Sequence, residues 1–422
     1  MRVYFIVIFV FFSGLYPLTF LSGGMIPPDG FSYLVMLVVG ILIPLAFKDS
    51  ADINAAEFRY PLFLILGVIT LRFILDGLGT SSITTGPWRI AYLSGMLYLV
   101  YFVFHKHITP KNVHMVIRYF IYAATAVSIV NILQWSFPGW TIFSGLASFS
   151  ETSSEVGESF VRFRTIYYHF GVLAILLAAW SLTSPGFTPL GRTFLFVSFL
   201  VNSTAVMING YRATMYVLLG CLLFYTVYMF SRMTWKARSL ALLTAIPLML
   251  VIYLYAQQRN PETESPVGEE SSLVYRLVEA GIGIEKLDQD DAWLCGIGYR
   301  DGIVNPWGGI QGGQETYLLH NGYVSILYNY GIVGSIAWAY LIVSVSVFVI
   351  RHYSQNKNSG LYVILGLYLF GQLVVNYSSG IFNREQPVTF CYLFAISLLE
   401  KIAVGSEAKR ELWGAVQGAD SR

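Results

Sequence analysis

The sequence has few charged residues and only three cysteines. Asp, Glu, Lys and Arg make up 12% of its 422 residues, while hydrophobic residues make up 55%. A soluble domain carries about 25% charged residues, so this scarcity excludes an ordinary soluble protein. The formal net charge of +2 is too small to favour nucleic acid as a partner. Cys221 and Cys391 lie in apolar runs and leave Cys295 alone, which excludes a disulfide framework.

Long apolar runs are what the sequence has instead. A membrane-spanning helix needs about 20 mostly apolar residues, and these runs are too long for the alternating strands of a β-barrel. The sequence predicts an all-α polytopic membrane protein with about 12 transmembrane helices. The predicted spans are 3–21, 31–47, 60–75, 89–104, 116–135, 166–182, 191–208, 211–230, 239–256, 331–350, 360–376 and 387–403. The first run is interpreted as a span and not as a cleaved signal peptide.

Basic residues divide unequally between the connections on the two sides of the predicted membrane. If the N-terminus is cytoplasmic, sixteen Lys and Arg residues fall in cytoplasmic segments. The short outer segments hold five: Arg89, Arg162, Arg164, Arg212 and Arg384. This bias favours both termini in the cytoplasm.

The topology divides the chain into four parts. Residues 1–256 hold the first nine spans, with an outer loop at 136–165. Residues 257–319 form a large extracytoplasmic loop between the ninth and tenth spans, with a helical stretch near 272–288. The last two parts are an interfacial helix with three further spans, and a cytoplasmic tail; their ranges are 320–403 and 404–422.

Residues 320–350 are too many for a single span. As one helix they would measure about 46 Å at 1.5 Å per residue, against an apolar bilayer core of about 30 Å. We therefore expect a break near Asn329–Gly331, with the part before it lying along the outer interface. Gly331 and Gly334 would form a small face that a neighbouring helix can approach closely.

Arginines at the outer mouth of the spans are candidates for binding an anion. Arg162 and Arg164 end the first outer loop, Arg212 lies between the seventh and eighth spans, and Arg384 precedes the last span. A guanidinium binds phosphate or carboxylate through two parallel hydrogen bonds. Each arginine could instead pair with a loop carboxylate or a lipid headgroup.

Two of the six histidines are predicted to lie outside, His169 and His320. The other four fall in predicted cytoplasmic segments: His105, His107, His114 and His352. Neither of the two outer histidines has a partner at metal-ligand spacing, so no metal site is predicted. His320, followed by Asn321, could be a hydrogen-bonded interfacial ring or a general base. Arg72 and Asp76 are interpreted as an ordinary i,i+4 pair on a helix.

The segment around His320 resembles the signature of the O-antigen ligase and O-antigen polymerase superfamily. That signature is a histidine, an Asn-type residue, nine positions and Gly-x-x-Gly at the entry of a late span. Here His320-Asn321 precedes Gly331-Ile-Val-Gly334. Three further segments are similar to family segments: RTIYYHFGVLA at 164–174, NGYRATMYV at 209–217 and LCGIGYRDG at 294–302. The family often has Asn-Pro-Asn where this chain has His169-Phe-Gly, and serine where it has Tyr211.

The resemblance implies glycosyl transfer at the periplasmic face of the bacterial inner membrane. The donor would be a glycan on undecaprenyl diphosphate. The acceptor would be a second lipid-linked glycan in a polymerase, or the lipid A-core in a ligase. It implies that His320 deprotonates the acceptor hydroxyl, that Arg164 and Arg212 hold the diphosphate, and that Asn321 orients His320 or the sugar. Position alone adds Arg162 and Arg384 as substrate-binding candidates.

The implied chemistry needs no cofactor and no metal, because guanidinium groups can stabilise the diphosphate as it leaves. A base on the opposite side of the anomeric carbon implies inversion of configuration. Besides the lipid bilayer and the two glycans, a chain-length regulator could be a partner.

Three alternatives stay open. A polymerase of lipid-linked repeat units, for O-antigen, capsule or exopolysaccharide, is the first interpretation, and a ligase is close behind. The base could be a loop carboxylate: Asp291, Asp301 or Glu315. A transporter or flippase would be expected to show inverted repeats and interrupted helices near the membrane midplane, whereas the unusual polar residues here lie at the outer mouth.

Overall fold

A computed structural model describes residues 55–79, 98–137, 147–150, 162–165, 168–184, 188–209, 212–231, 269–298, 303–304, 315–316, 319, 321–356, 359–379 and 386–419. Six helices in this part are long and apolar enough to cross a membrane: Val113–Leu133, Pro189–Asn209, Ala213–Phe230, Gly322–Asn356, Gly360–Tyr377 and Val388–Gly405. These helices identify a membrane protein. The total of about 12 spans stays a prediction, because the predicted spans 3–21, 31–47 and 239–256 lie outside the described residues.

Helices dominate the described part of the chain, as predicted. They are α1 (Arg59–Gly79), α2 (98–107), α3 (Val113–Ser136), α4 (Tyr168–Thr183), α5 (Pro189–Asn209), α6 (Arg212–Phe230), α7 (Glu269–Gln289), α8 (Gly322–Asn356), α9 (Gly360–Ser379) and α10 (Gln386–Ala419). Helix α7 confirms the helical stretch predicted within the large loop, and α10 continues through most of the predicted tail.

Two short antiparallel ribbons, which the sequence did not predict, lie in connections between helices. They pair β1 (Ala147–Ser150) with β2 (Arg162–Thr165), and β3 (Ile303–Val304) with β4 (Glu315–Thr316). Each strand has only two to four residues, so the ribbons shape the connections and leave the helical class unchanged.

Helix α4 lies at the centre and is buried on nearly every side, as expected for a helix that is apolar all round. Its Gly171 faces α5, where an added Cβ would lie 3.2 Å from Val206 Cγ2. The Asn202 amide of α5 donates to Thr125 Oγ1 at 3.0 Å and accepts from Ser128 Oγ at 2.8 Å. Small residues and interhelical hydrogen bonds of this kind hold helices together in membranes.

Helices α6 and α9 pack antiparallel with a register that two contacts define. The Cys221 thiol donates to the Leu367 carbonyl at 3.3 Å, and a Cβ on Gly371 would lie 2.6 Å from Val217 Cγ1. Continuing this register along straight helices places the first residue of α6, position 212, level with position 376 of α9.

Helix α8 is broken at Gly331, which has φ 66° and ψ −162°. The predicted break is therefore confirmed. After the break, the Tyr362 hydroxyl of α9 donates to the Val349 carbonyl at 3.0 Å, and a straight α8 would bring Asn376 beside roughly residue 335. Instead, Asn376 contacts Gly322. Residues 322–330 thus depart from the direction of the helix after the break, and their position at the membrane interface stays a prediction.

The segment 292–298, which follows α7, supplies the hydrogen bonds that the break removes from α8. The Ile332 N–H donates to the Trp293 carbonyl at 2.8 Å, and the Ile297 N–H donates to the Tyr328 carbonyl at 2.8 Å. The Val333 N–H donates to a further carbonyl of the segment at 3.2 Å. Buried backbone groups without a hydrogen-bond partner are costly, so the segment stabilises the break.

The two motif glycines have different roles, which corrects the expectation of one shared face for helix packing. Gly331 contacts the backbone of Leu294 and Gly296, and its positive φ excludes most side chains. Gly334 packs beneath Tyr330, and an added Cβ would lie 3.6 Å from Val68 Cγ1 of α1. The expectation failed for Gly331 because a backbone segment, and not a helix, occupies the space beside it.

Replacing Gly331 with alanine tests the break. The positive φ costs about 1–2 kcal/mol for an L-residue, and the added Cβ meets the backbone of segment 292–298. We expect Gly331→Ala to lower the melting temperature of the detergent-solubilised protein, measured by size-exclusion chromatography after heating. Gly67→Ala in α1 is the control, because nothing lies within 4 Å of its added Cβ. Equal melting temperatures for Gly331→Ala and wild type would contradict this account.

Candidate functional site

The first turns of α4, α6 and α10 meet at one end of the helix bundle, which we call the motif end. The hydroxyls of Tyr168 and Thr214 share a hydrogen bond of 3.3 Å. The Cys391 thiol of α10 donates to the His169 carbonyl of α4 at 3.8 Å. Because α5 and α9 run antiparallel to these helices, their last turns lie at the same end.

The start of α8 also lies at the motif end, against α9. Gly322 packs directly on Asn376, and any Cβ at position 322 would collide with both the backbone and the amide of Asn376. The Tyr323 hydroxyl donates to the Leu373 carbonyl at 2.8 Å. Because Gly322 has no side chain, α8 and α9 can come into contact at this position, which is two residues after His320.

Asn321 caps α8. Its Oδ1 accepts hydrogen bonds from the N–H groups of Tyr323 at 3.1 Å and Val324 at 3.2 Å, as an N-cap residue does. Its carbonyl accepts from the Ser325 N–H at 2.8 Å. Asn321 was predicted to orient His320 or the sugar. Its side-chain oxygen, however, already accepts hydrogen bonds from the first turn of α8.

Three predicted arginines have their backbones at the motif end. Arg162 and Arg164 lie in β2, which packs against α5 and leads into the first turn of α4. Arg212 begins α6, three residues after Asn209 ends α5. Their side chains, together with His320 and Arg384, lie outside the described residues.

Two of the other predicted candidates can be placed: His169 lies at the motif end but inside the bundle, and Asp291 lies near the break in α8. His169 is buried within the first turn of α4, its ring 3.9 Å from that of Tyr168, so it is an interior residue. Asp291 is exposed in the turn after α7, with φ 48°. Its neighbours contact α8 at the break, nine residues or about 14 Å of helix from Gly322. Asp301 lies outside the described residues, and only the backbone of Glu315, in β4, is described.

An apolar cavity of about 460 Å³ lies inside the bend of α8. Its lining comes from both sides of the break: Tyr323, Val324, Ile326, Leu327, Ser335, Trp338, Ala339, Ile342 and Val343. The Ser335 hydroxyl donates to the Gly331 carbonyl at 3.0 Å. The cavity thus offers almost purely hydrocarbon surface and begins two residues after Asn321.

Arg72 holds segment 292–298 in place, a role that the sequence did not predict. The expected i,i+4 pair with Asp76 is present and buried, with Nε donating to Oδ1 at 2.9 Å. Arg72 Nη1 also donates to the carbonyls of Gly296 at 2.8 Å and Cys295 at 3.3 Å. Gly298 lies against this ion pair, where an added Cβ would collide with both side chains. The glycines of LCGIG, residues 294–298, were the feature of the sequence from which this close packing could have been predicted.

A second polar cluster lies at the opposite end of the bundle, around Glu400 of α10. Its carboxylate accepts from the Tyr101 hydroxyl at 2.8 Å and from the Glu57 N–H at 3.1 Å, and lies 3.1 Å from His105 Nδ1. Lys401 Nζ lies 3.3 Å from the same ring. The cluster joins α1, α2 and α10, and no local pattern in the sequence points to it.

Within the described ranges, no three His, Cys, Asp or Glu side chains come together as a metal site would require. The absence of a metal from the mechanism stays a prediction. No protein-family model matches the sequence, and no curated protein matches it significantly. The function therefore has to be inferred from the residues at the motif end.

Replacing Arg72 tests its hold on segment 292–298. Arg72→Met would remove one partner of the buried ion pair with Asp76, which typically costs about 3–5 kcal/mol. Cys295 lies within this segment and is partly exposed, whereas Cys221 and Cys391 are buried. We expect faster alkylation of Cys295 by a maleimide in Arg72→Met, measured by mass spectrometry. Arg59→Met, whose guanidinium stacks on the neighbouring tyrosine ring, is the control and should label at the wild-type rate; unchanged labelling in Arg72→Met would exclude the proposed hold.

Proposed function

We propose that this protein is a membrane glycosyltransferase that polymerises lipid-linked oligosaccharide repeat units of an O-antigen, capsule or exopolysaccharide. One observation carries the proposal: Asn321, which follows His320 in the sequence, caps α8 at the end of the bundle where the backbones of Arg164 and Arg212 also lie. The Gly-x-x-Gly of the same signature coincides with the break in α8.

The charge distribution supports an extracytoplasmic motif end. The end opposite it carries many of the basic residues in the described part: Arg59, Lys106, Lys111, Arg192, Arg351 and Lys401. Basic residues favour the cytoplasmic side of a membrane, so we assign the motif end to the periplasmic face of the inner membrane. Both termini would then be cytoplasmic.

The proposed reaction needs a base and a stabilised leaving group. His320 accepts the proton of the acceptor hydroxyl, whose oxygen bonds to the anomeric carbon of the donor. The bond from that carbon to the diphosphate breaks, and undecaprenyl diphosphate leaves with the electron pair. Arg164 and Arg212 stabilise the charge that gathers on the diphosphate, so no metal is needed, and displacement from the opposite side inverts the anomeric centre.

The apolar cavity in the bend of α8 fits the carrier lipid. A polyprenyl chain is pure hydrocarbon, and the cavity lining offers hydrocarbon next to the motif. The diphosphate would meet the arginines at the motif end while the chain stays at membrane depth.

Replacing His320 is the decisive test of the chemistry. A general base contributes about 10²–10⁴-fold to the rate, so His320→Ala should lower polymer formation by that factor. The assay uses purified protein in liposomes and lipid-linked repeat units extracted from a strain that lacks the protein. His107→Ala, at the opposite end, should keep wild-type activity. Activity of His320→Ala within a few-fold of wild type would remove this histidine from the mechanism.

Replacing Arg212 tests the diphosphate contact. Removing one group that stabilises developing charge costs about 10²–10³-fold in kcat, so Arg212→Gln should lose that much in the same assay. Arg212→Lys keeps the charge but loses the two-pronged contact, and we expect an intermediate kcat. Arg192→Gln, at the opposite end, is the control. Equal kcat for Arg212→Gln and Arg192→Gln would rule out this contact.

A ligase and a flippase differ from a polymerase in the cell. In a deletion strain, electrophoresis of surface polysaccharide separates the enzymes: attachment of single units indicates a polymerase, and unattached full-length polymer indicates a ligase. Purified protein that moves lipid-linked glycan across vesicles without forming glycosidic bonds would be a flippase.

A further inference from the structure

Two buried amide side chains lie one turn apart on α9 at the motif end. Asn376 and Gln372 are 0% and 1% exposed, and their i,i+4 spacing puts them on the same face of the helix. Asn376 contacts Gly322, two residues after His320. The register of α6 on α9 places the backbone of Arg212 level with Asn376. The pair therefore lies between the elements that carry the proposed base and the proposed diphosphate ligand.

The side-chain oxygens of both amides lack a hydrogen-bond donor in the described structure. Asn376 Oδ1 and Gln372 Oε1 are buried and have no hydrogen-bond partner. The Tyr323 hydroxyl hydrogen-bonds with the Asn376 amide, but it donates its own proton to the Leu373 carbonyl at 2.8 Å and so leaves Asn376 Oδ1 without a donor. Buried polar groups are nearly always satisfied, and exceptions need an explanation. Because these amides lie at the proposed active site, a bound ligand is a direct explanation.

The identity of the unsatisfied atoms limits the chemistry of that ligand. Asn376 Oδ1 and Gln372 Oε1 can only accept a hydrogen bond, so the ligand has to donate. The oxygens of an ionised phosphate only accept, which excludes the diphosphate. A sugar hydroxyl donates and accepts, and can therefore satisfy both the oxygen and the nitrogen of an amide.

We propose that Asn376 and Gln372 bind hydroxyl groups of the acceptor sugar and so hold its reacting hydroxyl next to His320. The assignment to the acceptor rests on the proposed function, in which His320 receives the acceptor proton. Because both amides are covered in the ligand-free protein, the glycan has to displace a neighbouring side chain. Tyr323 is the side chain to displace, since it is exposed and its hydroxyl hydrogen-bonds at the edge of α9.

The test replaces Asn376 with leucine, which has nearly the same shape and no polar atoms. A buried amide that hydrogen-bonds only to a ligand destabilises the ligand-free protein. Asn376→Leu should therefore have a melting temperature at or above that of the wild type. The donor is extracted lipid-linked repeat unit at fixed concentration, and the titrated acceptor is the oligosaccharide released from it by mild acid. We expect the acceptor KM to rise about tenfold, the loss of one neutral hydrogen bond, with a smaller change in kcat.

Ser198→Ala is the matched control. Ser198 lies in the middle of α5, and its buried hydroxyl also lacks a hydrogen-bond partner in the described structure. Its replacement should preserve or raise the melting temperature and leave the acceptor KM unchanged. Gln372→Met should raise the acceptor KM in the same direction as Asn376→Leu.

Two outcomes would overturn the proposal while leaving the glycosyltransferase intact. One is a lower melting temperature of Asn376→Leu with unchanged KM, which would make the amide structural. The other is an unchanged KM at wild-type stability. If the wild type transfers no sugar, the proposed function fails, and the released oligosaccharide is then tested by thermal shift. Stabilisation of the wild type but not of Asn376→Leu would still support sugar binding, and stabilisation of neither would exclude it.

Discussion

A backbone break inside a packed helix bundle has to find replacement hydrogen bonds, and the motif end of this protein depends on that constraint. A buried N–H or carbonyl group without a partner is costly. The break in α8 at Gly331 is stabilised by segment 292–298, whose carbonyls and N–H groups bond to both sides of it. The segment is held in turn by Arg72. These contacts determine the direction of residues 322–330. They therefore also determine where Asn321, which follows His320 in the sequence, begins α8.

The buried polar side chains Glu400 and Asn376, at the two ends of the bundle, differ in their hydrogen bonding. At the opposite end, the Glu400 carboxylate has donors on several sides and joins three helices. Such a satisfied network specifies structure. At the motif end, the Asn376 side-chain oxygen is equally buried but lacks a donor. Because Asn376 contacts Gly322 at the start of α8, a ligand at the motif end can supply the missing donor.

Much of the helical framework could be predicted from the sequence, because a span is a local property of about 20 apolar residues. The break near Gly331 was also predictable, since one apolar run was too long and contained glycine. The cap by Asn321 could have been recognised from an Asn just before a helical run. Its hold on the helix changes how that residue can act on a substrate.

Other features depend on contacts that sequence patterns do not encode. Arg72 looked like an ordinary helical pair, and its bond to Gly296 joins residues 224 positions apart. Asn376 and Gln372 were hidden inside a predicted apolar span, where a single polar residue reveals neither its depth nor its neighbours. The short strand that carries Arg164 likewise pairs with residues 147–150 and contacts α5, which are both distant in the sequence.

The convergence of the arginines and the motif at one extracytoplasmic end is the central claim, and cross-linking tests it most directly. Arg212→Cys and Asn321→Cys are combined in a variant without the native cysteines, and spheroplasts are treated with a membrane-impermeant bismaleimide. Packed helices lie about 8–10 Å apart, so a reagent spanning about 15 Å should join the two positions from outside. A pair at Tyr323 and Leu373, which touch, is the positive control. Cross-linking of the control pair alone, or only after permeabilisation, would contradict the account.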